Sequence, residues 1–218
     1  MDALDRLAEP GLDLLGRVDI RLAAGAPDGH PVWPLLRRMQ VLPGEALRGF
    51  LDLSPAPLAT AGHAVRRLVG GYDDACAALT DPGGWTGPAA SAYDETRVAL
   101  LRHLDEGPES LVGRLEATAG YADALAHWVE GSRLAVARVL AEVLGSAEAV
   151  RVLAATSSAA DALAAAEIAT RVLSVLGVAY DGAETLLRQW SPSLAESTWR
   201  GQVGGGVFRH DGVARVIR

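Results

Sequence analysis

The chain has 218 residues, of which 50% are hydrophobic, 22% charged and only 5% aromatic, and its net charge is −7. That length suits one sizeable domain or a domain with extensions, and a composition rich in Ala and Leu but poor in aromatics favours helices over strands. The acidic balance argues against generic nucleic-acid binding; since all 20 basic residues are arginine, the P-loop, Schiff-base and pyridoxal-bound lysine enzymes are set aside too.

Residues 2–24 predict a short amphipathic helix with Leu4, Leu7, Leu12, Leu15, Val18 and Leu22 apolar, divided at Pro10-Gly11. After the loop at 25–31, Val32 to Met39 opens a second helix with Pro34 in its first turn, where proline is tolerated. Pro43-Gly44-Glu45 starts a third. Nothing here carries chemistry, and residues 1–54 read as a capping N-terminal helical extension.

Ser54-Pro55 marks a boundary, and from Leu58 the positions Val65, Leu68, Tyr72, Cys76 and Leu79 keep the spacing of one helical face. Pro82, Gly83 and Gly84 stop that helix, and Pro88 fits the first turn of the next, with Tyr93, Val98, Leu101 and Leu104 on its apolar side. Gly107-Pro108 breaks it. The pattern resumes from Leu111 through Leu144, loosens around Gly131-Ser132, and stops at Gly145-Ser146 before a short helical piece to Leu153. Thr156-Ser157-Ser158 is an N-cap cluster for a last long helix, which runs to about Gln189 with Leu163, Ile168, Val172, Val175, Leu176 and Leu187 toward the core. Ser191-Pro192-Ser193 is expected to end it. Residues 191–218 read as a loose tail with a candidate β-hairpin about Asp211-Gly212. The fold class is therefore all-α: an antiparallel helical hairpin or bundle over residues 55–190, built around the 57–104 hairpin with its turn at 81–88.

The start of the chain has no uninterrupted apolar core and is not a cleavable secretory signal. Apolar runs elsewhere are interrupted by Arg or Glu, and no membrane span is expected. Cys76 is the only cysteine, so no intrachain disulfide or cysteine-rich zinc site forms; on an apolar face it serves as a small hydrophobe. Asp123, His127 and Glu130 share a helical face, but a metal would need ligands from a facing helix, and a surface ion-pair cluster is the expected reading. Gly204-Gly205-Gly206 lacks the Lys-Ser/Thr of a phosphate cradle, and no Gly-x-Ser-x-Gly elbow occurs. No enzyme activity, cofactor or metal is expected.

Trp85-Thr86-Gly87, set in a Pro/Gly turn between two amphipathic helices and followed by Ala89, Ala90 and Tyr93, resembles the WXG family of helical-hairpin proteins that travel through type VII secretion systems of actinobacteria and firmicutes. Trp supplies an apolar plug for the open end of the hairpin, and Gly two residues on lets the backbone reverse. The family's Tyr-x-x-x-Asp/Glu export motif is matched by Tyr180 and Glu184, which an offset of four places on one helical face. The resemblance implies a non-enzymatic secretion substrate or secretion-associated partner. It would associate helix to helix as a homo- or heterodimer with another helical-hairpin protein, be read by a secretion ATPase, and reach the cell envelope or exterior. A cytoplasmic helical adaptor or chaperone-like protein is the alternative. The likeness covers about residues 55–105. It departs from the short family type in its 54 preceding residues and in the 95 positions between Trp85 and Tyr180. A second Trp-x-Gly, Trp199-Arg200-Gly201, lies in the tail.

Overall fold

A computed structural model describes residues 1–80, 84, 86–154 and 158–196, the last two by their backbone alone. Among the described residues there are eight helices and no strand: α1 (Ala3–Ala23), α2 (Val32–Met39), α3 (Pro43–Leu51), α4 (Pro55–Thr80), α5 (Pro88–Asp105), α6 (Leu111–Leu144), α7 (Ala147–Leu153) and α8 (Ala159–Glu196). The fold is all-α. The expected tail hairpin and the second Trp-x-Gly lie outside the described residues.

Local signals set most boundaries. Pro43 and Pro88 open α3 and α5, where the missing N–H would have had no helical partner. The Ser110 and Ser146 hydroxyls accept from the Gly113 and Ala149 N–H groups and cap α6 and α7. Ser158 and Asp161 satisfy each other's backbone N–H groups at the start of α8, a capping box.

Two expected breaks do not occur. α1 runs through Pro10, although proline removes the bond to the Arg6 carbonyl and crowds it. The helix is held on both sides of Pro10 by Leu4, Leu14, Leu15, Val18 and Leu22, all buried, and Gly11 allows close approach: a Cβ there would lie 2.5 Å from Leu140 Cδ2. α8 likewise continues past Pro192 to Glu196. Its last turns are tied down by Trp190, whose ring lies over Gly120 and 6.0 Å from the Tyr121 ring.

The core lies away from the 57–104 hairpin expected to organise the bundle. One cluster joins α1, α3, the C-terminal half of α6, α7 and α8, with Phe50, Leu4, Leu15, Leu47, Leu140, Leu173 and Leu176 at 1% exposure or less. Residues 1–54 are thus part of the main core rather than a cap on it; α1 packs on α6 and α8, and α2 on α8. α8 also corrects the expectation of no spanning stretch. Residues 159–194 contain a segment long and apolar enough to cross a membrane, with mean hydropathy 1.6, and 56% of it is buried inside the protein. A helix at the centre of a bundle needs apolar residues nearly all round, and α8 contacts α1, α2, α3, α6 and α7. Leu163 and Leu187, expected inside, are instead exposed, while Ile168, Val172 and Leu176 are buried.

Candidate functional site

α4 is 26 residues long, roughly 39 Å at about 1.5 Å per residue. Its first half packs on α6: Gly62 approaches the Ala119 carbonyl and the Ala122 side chain, and Arg66 pairs with Asp123. Its last turns meet α5 instead. Arg97 of α5 donates to the Leu79 and Thr80 carbonyls at 2.8 and 3.2 Å, while Leu101 and Asp105 line a cleft with Asp73 and Cys76. The two helices therefore run antiparallel, and α5 and α6 follow one another along α4, with the Gly107-Pro108 turn between them. α5 and the end of α4 form an arm extending from the bundle.

The arm is the least buried part of the described chain. None of the 18 residues of α5 is buried, and Cys76 is the last buried residue of α4. Leu68, Tyr93, Val98 and Leu100 are exposed hydrophobics. Isolated helices of this length are marginal in water, and most helical stability comes from tertiary packing of an apolar face; α5 has little of that packing. Between the two helices lies a cleft of about 560 Å³ lined by the apolar Cys76, Val98 and Leu101 and by the charged Asp73, Arg102, Asp105 and Glu106. Burial, then the nearby Asp105 and Asp73 carboxylates, push the Cys76 thiol up, so it stays protonated and unreactive at neutral pH. Arg97 is turned inward, its side chain 10% exposed and paired with Asp94, and Arg102 pairs with Glu106 at 3.1 Å. Six acidic residues from 73 to 106 (Asp73, Asp74, Asp94, Glu95, Asp105, Glu106) stand against these two arginines among the described residues.

The residues singled out by sequence fall in two places. Trp85 lies outside the described residues. Gly87 is the residue before α5, with φ 111° and ψ 177°, a region open almost only to glycine; its carbonyl accepts from the Ser91 N–H at 3.1 Å. Tyr180 and Glu184 sit on α8, both exposed. The Tyr180 ring packs edge-on against Phe50, centroids 5.6 Å apart, and neighbouring Asp181 pairs with Arg38 of α2. Phe50, in α3, precedes the start of α4 and Gly87 follows its end, so Tyr180 and Gly87 are separated by about the length of that helix, ~40 Å. α5 and α6 both run against α4, and the break at Gly107-Pro108 does not fold one back on the other.

No family model, curated protein or solved structure matches the chain. Among the described residues there is no cluster of three His, Cys, Asp or Glu side chains able to hold a metal; Asp123 of the expected ion-pair cluster is held below the usual carboxylate range by Arg66, which bonds both its oxygens.

Two features leave no local signal in the sequence. The first is Arg133, buried in α6. It donates to the Phe50 and Leu53 carbonyls at 2.8 Å and the Leu51 carbonyl at 3.1 Å, and pairs with Asp2 and Asp5 at 2.6 and 2.5 Å. This clasp satisfies the last carbonyls of α3 and ties down the start of α1. Its partners are 80 to 131 positions away, so no local pattern reveals it. The second is a groove of about 460 Å³ between α6 and α8, lined by Gly131, Ala135, Ser174, Val178 and Gly182. Trp128 closes one end and donates its indole N–H to the Ala179 carbonyl at 2.9 Å.

Proposed function

We propose that the protein is a non-enzymatic partner-binding protein that acts by helix–helix association through the α4–α5 arm. One observation carries this reading: an 18-residue helix with no buried residue projects from an otherwise well-packed bundle. Large exposed apolar surfaces rimmed by polar residues mark interaction sites, and an amphipathic helix in a groove is a recurrent mode of recognition.

Within this class, the finer proposal is a WXG-like type VII secretion substrate or secretion-associated partner. It is supported by the glycine-only conformation at Gly87 ahead of an exposed helix, and by the exposure of both Tyr180 and Glu184 on one face of α8. Trp85 and Gly87 would form the apex; Tyr180 and Glu184 would be read by the secretion ATPase. The composite signal would then require a dimer with another helical-hairpin protein, because Gly87 and Tyr180 lie at opposite ends of α4. The test is export from a type VII-competent host: Trp85→Ala combined with Tyr180→Ala should abolish it, and unchanged export refutes the secretion assignment. The same separation favours the second reading, a cytoplasmic helical adaptor using the arm alone. Cell fractionation distinguishes the two, and Leu100→Asp should abolish partner association under either.

A further inference from the structure

The arm's cleft joins an apolar floor to an acidic rim, and its complement in charge is found at the end of this same chain. Residues 197–218 carry four arginines and one aspartate, a net +3 that leaves −10 on the rest of a chain of net −7. In the last twelve of those residues, Arg209, Arg215 and Arg218 alternate with Val207, Phe208, Val213, Val216 and Ile217. These are the two chemistries the cleft presents in opposite sense: apolar surface at Cys76, Val98 and Leu101, and a net negative rim in which Asp73, Asp105 and Glu106 outnumber one arginine, Arg102, which pairs with Glu106.

The course of α8 brings the two together. α8 runs antiparallel to α6, with Gly182 beside Trp128 and Trp190 against Gly120. Continuing that register, α8 ends at Glu196 beside the first turn of α6. That turn adjoins the base of the arm: Gly113 is packed against Gly107 and Pro108, so closely that a Cβ would lie 2.6 Å from the Gly107 carbonyl, and Asp105 is two residues before that glycine. The described end of α8 thus lies beside the base of the arm. Residues 197–206 number ten, with three consecutive glycines among them, and ten residues reach up to ~33 Å when extended. α5 itself is only ~27 Å long at about 1.5 Å per residue.

We propose that the chain's own C-terminal segment, residues 207–218, occupies the α4–α5 cleft in the resting protein and is displaced when a partner helix binds. This rests on the reading of the arm as a partner-docking surface and gives that surface a built-in competitor. The contact forms within one chain, because a segment tethered to the end of α8 by ten residues competes at high effective concentration. Salt weakens it, since its charged half depends on exposed groups screened over about 10 Å at 0.1 M.

The test is hydrogen–deuterium exchange on the full-length protein at low salt, comparing it with the triple variant R209E/R215E/R218E. The expected result is exchange across residues 88–105 at least ten-fold faster in the variant, with unchanged exchange in the core of α8. Adding D73R/D105R/E106R to the triple variant should restore protection. Unchanged α5 exchange in the triple variant overturns the proposal, as does protection that grows with protein concentration, which would place the segment on a second copy. An independent readout places the thiol on the exposed side of the cleft: in a Cys76→Ser background and a thiol redox buffer, Val98→Cys and Val213→Cys should form a disulfide in the monomer, and exclusively intermolecular disulfides count against the proposal. No partner is present in either experiment, so their failure leaves the docking role of the arm standing, whereas failure of Leu100→Asp to affect partner association removes that role itself.

Discussion

Arg133→Met keeps most of the aliphatic stem and removes the guanidinium, isolating what the clasp contributes. In the native protein the side chain is 5% exposed and satisfies three carbonyls at the end of α3 and just beyond it, one of them fully buried. An unsatisfied buried acceptor costs about 1–3 kcal/mol. Asp2 and Asp5 are 45% and 36% exposed, so water replaces much of what they lose and their share is small. The sum is about 3–5 kcal/mol, the range for breaking a buried ion pair by removing one partner. Urea unfolding should show a lower midpoint at an unchanged slope. The pH dependence gives a second check. Hydrogen bonding to Arg133 holds Asp2 at about 2, against 3.8 for the ordinary group. Because the folded value is the lower one, this stabilisation is fully present above pH ~4 and is lost as pH falls toward 2. The full shift corresponds to about 2.4 kcal/mol; discounted for an exposed carboxylate it is nearer 1. In Arg133→Met that contribution to acid destabilisation should be missing. A loss of stability below about 1 kcal/mol, with wild-type acid sensitivity, would show that the clasp does not hold α1 and α3.

Two glycines of α1 should respond in opposite directions. Gly11→Val forces a branched side chain into Leu140 and should cost about 1–3 kcal/mol by overpacking, whereas Gly16→Ala meets nothing within 4 Å and should stabilise by about 0.5–1 kcal/mol; thermal melts of both variants decide. Gly87→Ala, at φ 111°, should cost about 1–3 kcal/mol of local strain, seen as faster hydrogen exchange at the start of α5 while the melting temperature of the bundle stays put. Trp128→Phe removes the indole N–H donated to Ala179 and should lose about 1 kcal/mol in urea unfolding; no loss would mean that water replaces the donor.

Where chemistry was local, it could be read along the chain. Pro43, Pro88, Ser110 and Ser146 each mark a helix start by what their own backbone or side chain does within one turn, and the Gly107-Pro108 break and the 145–146 stop lie where those residues place them. Pro10 and Pro192 were misleading for the complementary reason. Their effect on one hydrogen bond is local, but whether a helix survives depends on what packs beside it, and Leu140 and Gly120 belong to a helix more than a hundred positions from Pro10 and about seventy from Pro192. The apolar periodicity of residues 58–79 specifies a helix but not its place in the fold, which is outside the main core, because amphipathicity identifies a face without identifying its partner.

By itself the sequence determined the all-α class, most of the helix boundaries and the charge contrast between the acidic body and the basic C-terminal segment, since each follows from residue type and short-range geometry. Tertiary structure alone decided which helices share the core, that α5 is left uncovered, that Arg133 joins three distant segments, and that Gly87 and Tyr180 stand at opposite ends of α4. These are pairings between positions far apart in the chain, and side-chain burial is fixed only once such pairings exist.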